Sequence, residues 1–321
     1  MKQLEQISHF FSKYFALIVI FVSIIAFASP GAFGWIGAYI TVLLGIVMFG
    51  MGTTMRLSDF TLVAKKPAPV FIGLLAQFLI MPLTAFGIAY LFNLPPELAA
   101  GLVLVGACPG GTASNVMVYL SRGDVPVSVA MTSVSTMLAP VLTPLIVLLL
   151  AGQWLPVSAG EMFMSIVQVI IIPVILGISA RKLLPGAVEK GTAVLPLVSV
   201  TAIMLIVTAV VALNAENLIT SGAAVFSAVI LHNGFGLALG YLTAKWVGLD
   251  ETKRRAISME VGMQNSGLGA ALAAAHFSPL AALPSAIFSV WHNISGPALV
   301  SFWNRTGRKE TSRNNSVTGV S

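Results

Sequence analysis

The chain has 321 residues, of which 57% are hydrophobic and 9% charged, and a formal net charge of +6. Soluble globular proteins carry about 25% charged residues. With a mean hydropathy of +0.94, this chain cannot clothe itself in polar surface, so soluble enzymes, nucleic-acid binders and secreted disulfide scaffolds are excluded. Cys108 is the single cysteine, which leaves no intrachain disulfide to form.

A membrane crossing takes about 20 apolar residues. In chain order the apolar segments are Tyr14–Ala28, Trp35–Met55, Pro67–Phe92, Leu98–Leu120, Val125–Leu150, Met162–Leu184, Val194–Leu213, Ile219–Val247, Ala256–Phe277 and Ala282–Trp303. Tight polar or Pro/Gly turns separate several of them, as at Ser29-Pro30-Gly31, Asn93-Leu94-Pro95-Pro96, Ser121-Arg122-Gly123-Asp124 and Leu184-Pro185-Gly186. Ten helices are therefore expected.

Charge placement tests that number. With the amino terminus in the cytoplasm, all 17 Lys and Arg fall on the cytoplasmic side. They are Lys2 and Lys13, then Arg56, Lys65 and Lys66, then Arg122, then Arg181, Lys182 and Lys190. Lys245, Lys253, Arg254 and Arg255 follow, and Arg305, Arg308, Lys309 and Arg313 close the series. The opposite loops carry only Glu97, Glu161 and Glu216. This is the bias of a multi-pass protein, and it implies that both termini are in the cytoplasm. The pI of 9.6 follows from that bias and not from a nucleic-acid partner. A cleaved signal peptide ending at Ala26-Phe27-Ala28 is the competing outline, but it would leave nine helices.

Ten is twice five, and an odd half inverts the second repeat relative to the first. Sliding the chain by 155 residues sets Val70-Phe71 on Val225-Phe226, Gln77 on His232, Ala89 on Ala244, Gly106 on Val261 and Gly110 on Asn265. The expected organisation is a first repeat over residues 1–150, an inverted second repeat over 151–304, and a polar, disordered cytoplasmic tail over 305–321. Inverted repeats with helices broken at matching places mark secondary transporters, whose site lies where the repeats meet.

Segments four and nine carry those interruptions. Segment four contains Cys108-Pro109-Gly110-Gly111-Thr112-Ala113-Ser114-Asn115, where a proline and two glycines oppose a continuous helix. No Lys completes a P-loop there. Segment nine contains Glu260-Val261-Gly262-Met263-Gln264-Asn265-Ser266-Gly267-Leu268, and Glu260 is the one charge expected inside the membrane. A central acidic residue costs about 2.5–3.5 kcal/mol and needs a partner. With no Lys or Arg at that depth, the partner is a proton or a cation. Oxygen-bearing Ser114, Asn115, Ser128, Thr132, Gln77 and Gln264 suit a hard cation such as Na+. If both helices break, two helix N-termini face one cavity and favour an anionic substrate. Trp291-His292-Asn293 is a further polar cluster, and none of His9, His232, His276 and His292 has metal-site spacing.

The two interrupted motifs resemble those of the bile acid:sodium symporter family, in particular the bacterial homologues of its apical sodium-dependent bile acid transporter, over all ten segments. The resemblance implies an all-α fold with a core of helices 3–5 and 8–10, a panel of helices 1, 2, 6 and 7, and helices four and nine crossing. It implies two sodium ions. The first would be held by Ser114, Asn115, Ser128, Thr132 and Glu260. The second would be held by Gln77, Glu260, Gln264 and the backbone oxygens of Val261 and Met263. Thr112, Asn265, His292 and Asn293 would touch substrate. The expected function is a sodium-coupled symporter importing an organic anion, bile-acid-like or a small carboxylate. The rival is a proton-coupled transporter of the same fold using Glu260. No enzyme motif is present, a monomer in the lipid bilayer is expected, and no nucleic-acid partner.

Overall fold

The computed structural model describes residues 14–55, 67–192 and 194–318, and the described chain is helical almost throughout. The helices are α1 (Phe15–Ala28), α2 (Pro30–Thr54), α3 (Pro67–Leu91), α4 (Pro96–Ala107), α5 (Ala113–Leu120), α6 (Val125–Ala151) and α7 (Ala159–Leu183). After them come α8 (Pro185–Thr192), α9 (Leu195–Leu213), α10 (Ala215–Trp246), α11 (Glu251–Gly262), α12 (Ser266–His276) and α13 (Leu283–Thr318). Five of these, α2, α3, α6, α7 and α10, are long and apolar enough to cross a membrane unaided. Lys2, Lys13, Arg56, Lys65 and Lys66 lie outside the described residues.

Local chemistry sets the helix ends. Asp124 caps α6 by accepting from the Val127 N–H at 3.2 Å, and Asp250 caps α11 by accepting from Lys253 N–H at 3.1 Å. The second cap starts α11 at Glu251, five residues before the apolar run at Ala256, because capping and not hydropathy decides where the first turn forms. Pro173 has no N–H to offer, and the turn before it, Val167–Ile171, widens to a π-helix within α7. α13 carries the backbone past Arg305, so the tail boundary expected there is not a break in secondary structure.

Segments four and nine are broken. α4 stops at Ala107 and α5 starts at Ala113; α11 stops at Gly262 and α12 starts at Ser266. The two gaps cross and pair: Gly111 N–H donates to Met263 O at 2.9 Å, and Asn265 N–H to Pro109 O at 2.8 Å. Around this crossing, α3, α4, α6, α10 and α11 pack on one another, while α1, α2, α7 and α9 form a second packed group.

Within that second group α2 and α7 meet backbone to backbone. A Cβ on Gly52 would overlap the Val174 carbonyl, and one on Gly177 would overlap the Phe49 carbonyl. Small residues let membrane helices approach this closely. Gly52→Ala should therefore destabilise the protein by about 1–3 kcal/mol through overpacking, read as a lowered thermal unfolding midpoint in detergent. Gly87→Ala, in α3 with nothing within 4 Å of the added methyl, should leave the midpoint unchanged or slightly raised.

Candidate functional site

Glu260 sits two residues before the end of α11 and is 1% exposed. Three hydroxyls reach its carboxylate. Ser128 donates to Oε1 at 2.5 Å and Thr132 to Oε2 at 2.8 Å, while Ser114 also donates to Oε1. Ser128 and Thr132 are one turn apart on α6, so both point the same way. Ser114 arrives from the first turn of α5, which the break in segment four turns toward α11. Asn115 closes the ring: its Oδ1 is 2.8 Å from Ser128 Oγ and its Nδ2 is 3.3 Å from Thr132 Oγ1. All five residues expected at the first ion site are brought together.

Counting protons shows what this cluster lacks. A serine or threonine hydroxyl has one proton to donate. Ser114 Oγ faces both Glu260 and Gly111 O, the latter at 2.6 Å; Ser128 Oγ faces both Glu260 and Asn115 Oδ1; Thr132 Oγ1 faces both Glu260 and Ser128 O, the latter at 3.1 Å. Six acceptor contacts thus compete for three protons. Gly111 O also accepts from the Ser114 N–H at 3.1 Å, so the competition bears mainly on the Glu260 carboxylate and Asn115 Oδ1, oxygens of the kind a hard cation takes as ligands.

A second group lies on the other flank of the crossing. Gln77, buried in α3, donates from Nε2 to Gln264 Oε1 at 2.6 Å and to Cys108 O at 3.2 Å. Gln264 Nε2 donates in turn to Val261 O at 2.9 Å. Gln77 Oε1 is buried and has no hydrogen-bond partner, an oxygen free to meet a cation. Met263 O already accepts from Gly111 and keeps one lone pair. Gln77, Val261 and Gln264 are joined by hydrogen bonds, and Glu260 and Met263 adjoin them along the chain.

The four expected substrate residues are not one cluster of equal exposure. Thr112 is exposed at the start of α5. Asn265 caps α12, its Oδ1 accepting from Leu268 N–H at 3.1 Å. His292 is buried against Phe288, ring centroids 5.5 Å apart, with Nδ1 unpartnered. Asn293, half-buried, donates to Ser289 O at 2.7 Å within its own helix. Thr112 and Asn265 each lie at a helix start beside the crossing, whereas His292 and Asn293 are on α13.

Several residues that hold the breaks open are absent from the sequence-based expectations. Thr143 donates to Ala107 O at 2.8 Å, the last carbonyl of α4, and Asn233 donates to Gly262 O at 2.8 Å, the last of α11. Ser135 lies 3.4 Å from Gly110 N–H. Unwound backbone at membrane depth survives only when its polar groups find such partners. Asn233 was detectable in sequence as a polar residue in mid-helix beside His232; a lone Thr143 gives no such signal.

Broken, crossed helices around a buried acidic site define a multi-pass membrane transporter. The comparisons with known proteins narrow the class. Residues 41–221 match the model of the Sodium Bile acid symporter family. The chain is 53% identical over 307 residues to the "Uncharacterized sodium-dependent transporter YocS" of Bacillus subtilis, covering 96% of each chain. It is 40% identical over 301 residues to the "Probable sodium/metabolite cotransporter BASS1, chloroplastic" of Arabidopsis thaliana, covering 93% of this chain and 75% of that one. The protein belongs to the sodium bile acid symporter family.

Gly110 gives a test of the site's geometry. A Cβ there would lie 2.7 Å from Glu260 Oε2, closer than a methyl and a carboxylate oxygen tolerate. Gly110→Ala should displace the carboxylate and abolish stabilisation by NaCl over choline chloride in a thermal-shift assay, with the purified protein remaining monodisperse.

Proposed function

We propose that the protein is a sodium-coupled symporter that imports an organic anion across the bacterial inner membrane by alternating access. The observation carrying this reading is the acceptor excess around Glu260: six oxygen contacts, three hydroxyl protons. A hard cation takes oxygen ligands at a carboxylate, and membership of a sodium symporter family supports Na+ as that cation.

In this reading one Na+ binds Ser114, Asn115, Ser128, Thr132 and Glu260. A second binds Gln77, Glu260, Gln264 and the backbone oxygens of Val261 and Met263, where the free Gln77 Oε1 supports it. The ions neutralise Glu260 and tie α5, α6 and α11 together, which fixes the crossing. The fixed crossing sets the α5 and α12 N-termini beside Thr112 and Asn265, whose N–H groups and dipoles attract an anion; His292 and Asn293 contribute from α13. Two sodium ions with one monoanion move a net charge of +1 inward.

The framework is ten transmembrane helices in two inverted five-helix repeats, both termini cytoplasmic. The core is α3–α6 with α10–α13, and the panel is α1, α2, α7 and α9. One contact supports the repeat beyond the alignment. The offset of 155 sets Glu260 on Val105 and Ser114 on Gly269, and a Cβ on Gly269 would lie 3.3 Å from Val105. The two pairs occupy equivalent places, one polar and one apolar.

A proton on Glu260 would also relieve the acceptor excess, so proton coupling on the same fold is the second reading. Glu260→Gln discriminates. In proteoliposomes, uptake of a carboxylate or bile acid should require an inward Na+ gradient, speed up with an inside-negative potential, and fall to background in Glu260→Gln. Uptake driven by a pH gradient in sodium-free buffer would favour the proton.

A further inference from the structure

α5 and α12 are equivalent elements of the proposed repeat, yet their surroundings differ. Every residue of α12 from Ser266 to Ala273 is buried, whereas only Ser114 and Val118 are buried in α5. α12 packs against α2, α7 and α9 of the panel, as well as α4 and α13 of the core. Among the described residues, the main packing partners of α5 are α6, α11 and α13, all of the core, and Val116, Tyr119 and Leu120 are exposed. α12 lies on the side of the crossing opposite the Lys- and Arg-bearing loops. The seam between core and panel is therefore packed shut on the external side.

Two polar contacts span that seam at its outer rim. His276, the last residue of α12, is 2.9 Å through Nε2 from Ser165 Oγ on α7. Asn214, at the end of α9, donates from Nδ2 to Pro279 O at 2.8 Å in the turn that follows α12. Asn214 is 1% exposed and also donates to Val210 O at 2.8 Å, which fixes its side chain to the panel. Each contact joins a panel residue to a core residue, and neither belongs to the ion sites.

We propose that His276–Ser165 and Asn214–Pro279 form the latch of an external gate, and that the structure is the cytoplasm-facing state with that gate closed. Movement of the core against the panel to admit substrate from outside breaks both contacts and lifts α12 off α2 and α7. The latch sets the balance between the two states: weakening it populates the outward-facing state, and the crossing itself stays assembled. This inference rests on the membrane orientation and core–panel division proposed above, but on neither the ion nor the substrate.

The test uses the full-length protein with Cys108→Ala and one reporter cysteine. Leu272→Cys, at a position 2% exposed on α12, reports opening of the external seam to a membrane-impermeant maleimide in right-side-out vesicles. Val116→Cys, at a position 54% exposed on α5, reports the cytoplasmic side in inside-out vesicles. His276→Ala and Asn214→Ala should each raise Leu272→Cys labelling about fivefold, the population shift expected from one net hydrogen bond. Val116→Cys labelling should fall in the same variants. His276→Gln, which can still bond Ser165, should restore the parental rate.

Unchanged Leu272→Cys labelling in the double variant would overturn the latch. So would a simultaneous rise at Val116→Cys, which signals general loosening, or a His276→Gln variant that behaves like His276→Ala. Labelling needs neither sodium nor substrate, so failure here is separate from any result for Glu260 in uptake.

Discussion

A buried carboxylate that meets three hydroxyls and no cationic side chain among the described residues is the constraint on which the rest depends. Ser114, Ser128 and Thr132 all turn their hydroxyls on Glu260 although each also has a second acceptor, Gly111 O, Asn115 Oδ1 and Ser128 O respectively. The carboxylate and the hydroxyls around it come from three separate helices, α5, α6 and α11. Under the proposed function a bound cation would bear on all three at once, linking ion binding to the geometry of the crossing.

The crossing extends the same logic to the backbone. Breaking two helices in a membrane frees carbonyls and N–H groups that lipid cannot satisfy. Here they satisfy one another through the Gly111–Met263 and Asn265–Pro109 pairs, and side chains of α3, α6 and α10 take the remaining carbonyls of Cys108, Ala107 and Gly262. The glycines at 110 and 111 are required by proximity: a side chain at either would press on Glu260 or on the Gln264 carbonyl. Backbone pairing, the Glu260 cluster and the helix N-termini are one assembly and not three features that happen to adjoin.

Much of this was legible in sequence because the polar residues of a membrane protein are few and costly. Glu260 announced itself as a charge in an apolar run, Pro109 with two glycines announced the break in segment four, and the hydroxyls four apart at 128 and 132 shared a face by helical period alone. Helix ends were less legible where a cap overrode hydropathy, as at Asp250. The groups that hold the breaks open, Thr143 and Asn233, and the contacts across the outer seam, His276–Ser165 and Asn214–Pro279, were not legible. They pair residues far apart in sequence, and each partner alone is an ordinary polar residue. The exposure of α5 against the burial of α12 is likewise a property of one conformation, which no single sequence states.

The most direct measurement of the central claim is the infrared difference spectrum of the purified protein on adding sodium in place of choline. The account predicts a saturable perturbation of carboxylate stretching bands that is absent from Glu260→Gln and present at a pH where external carboxylates are fully ionised. A sodium-independent spectrum, or a sodium response that survives in Glu260→Gln, would contradict it.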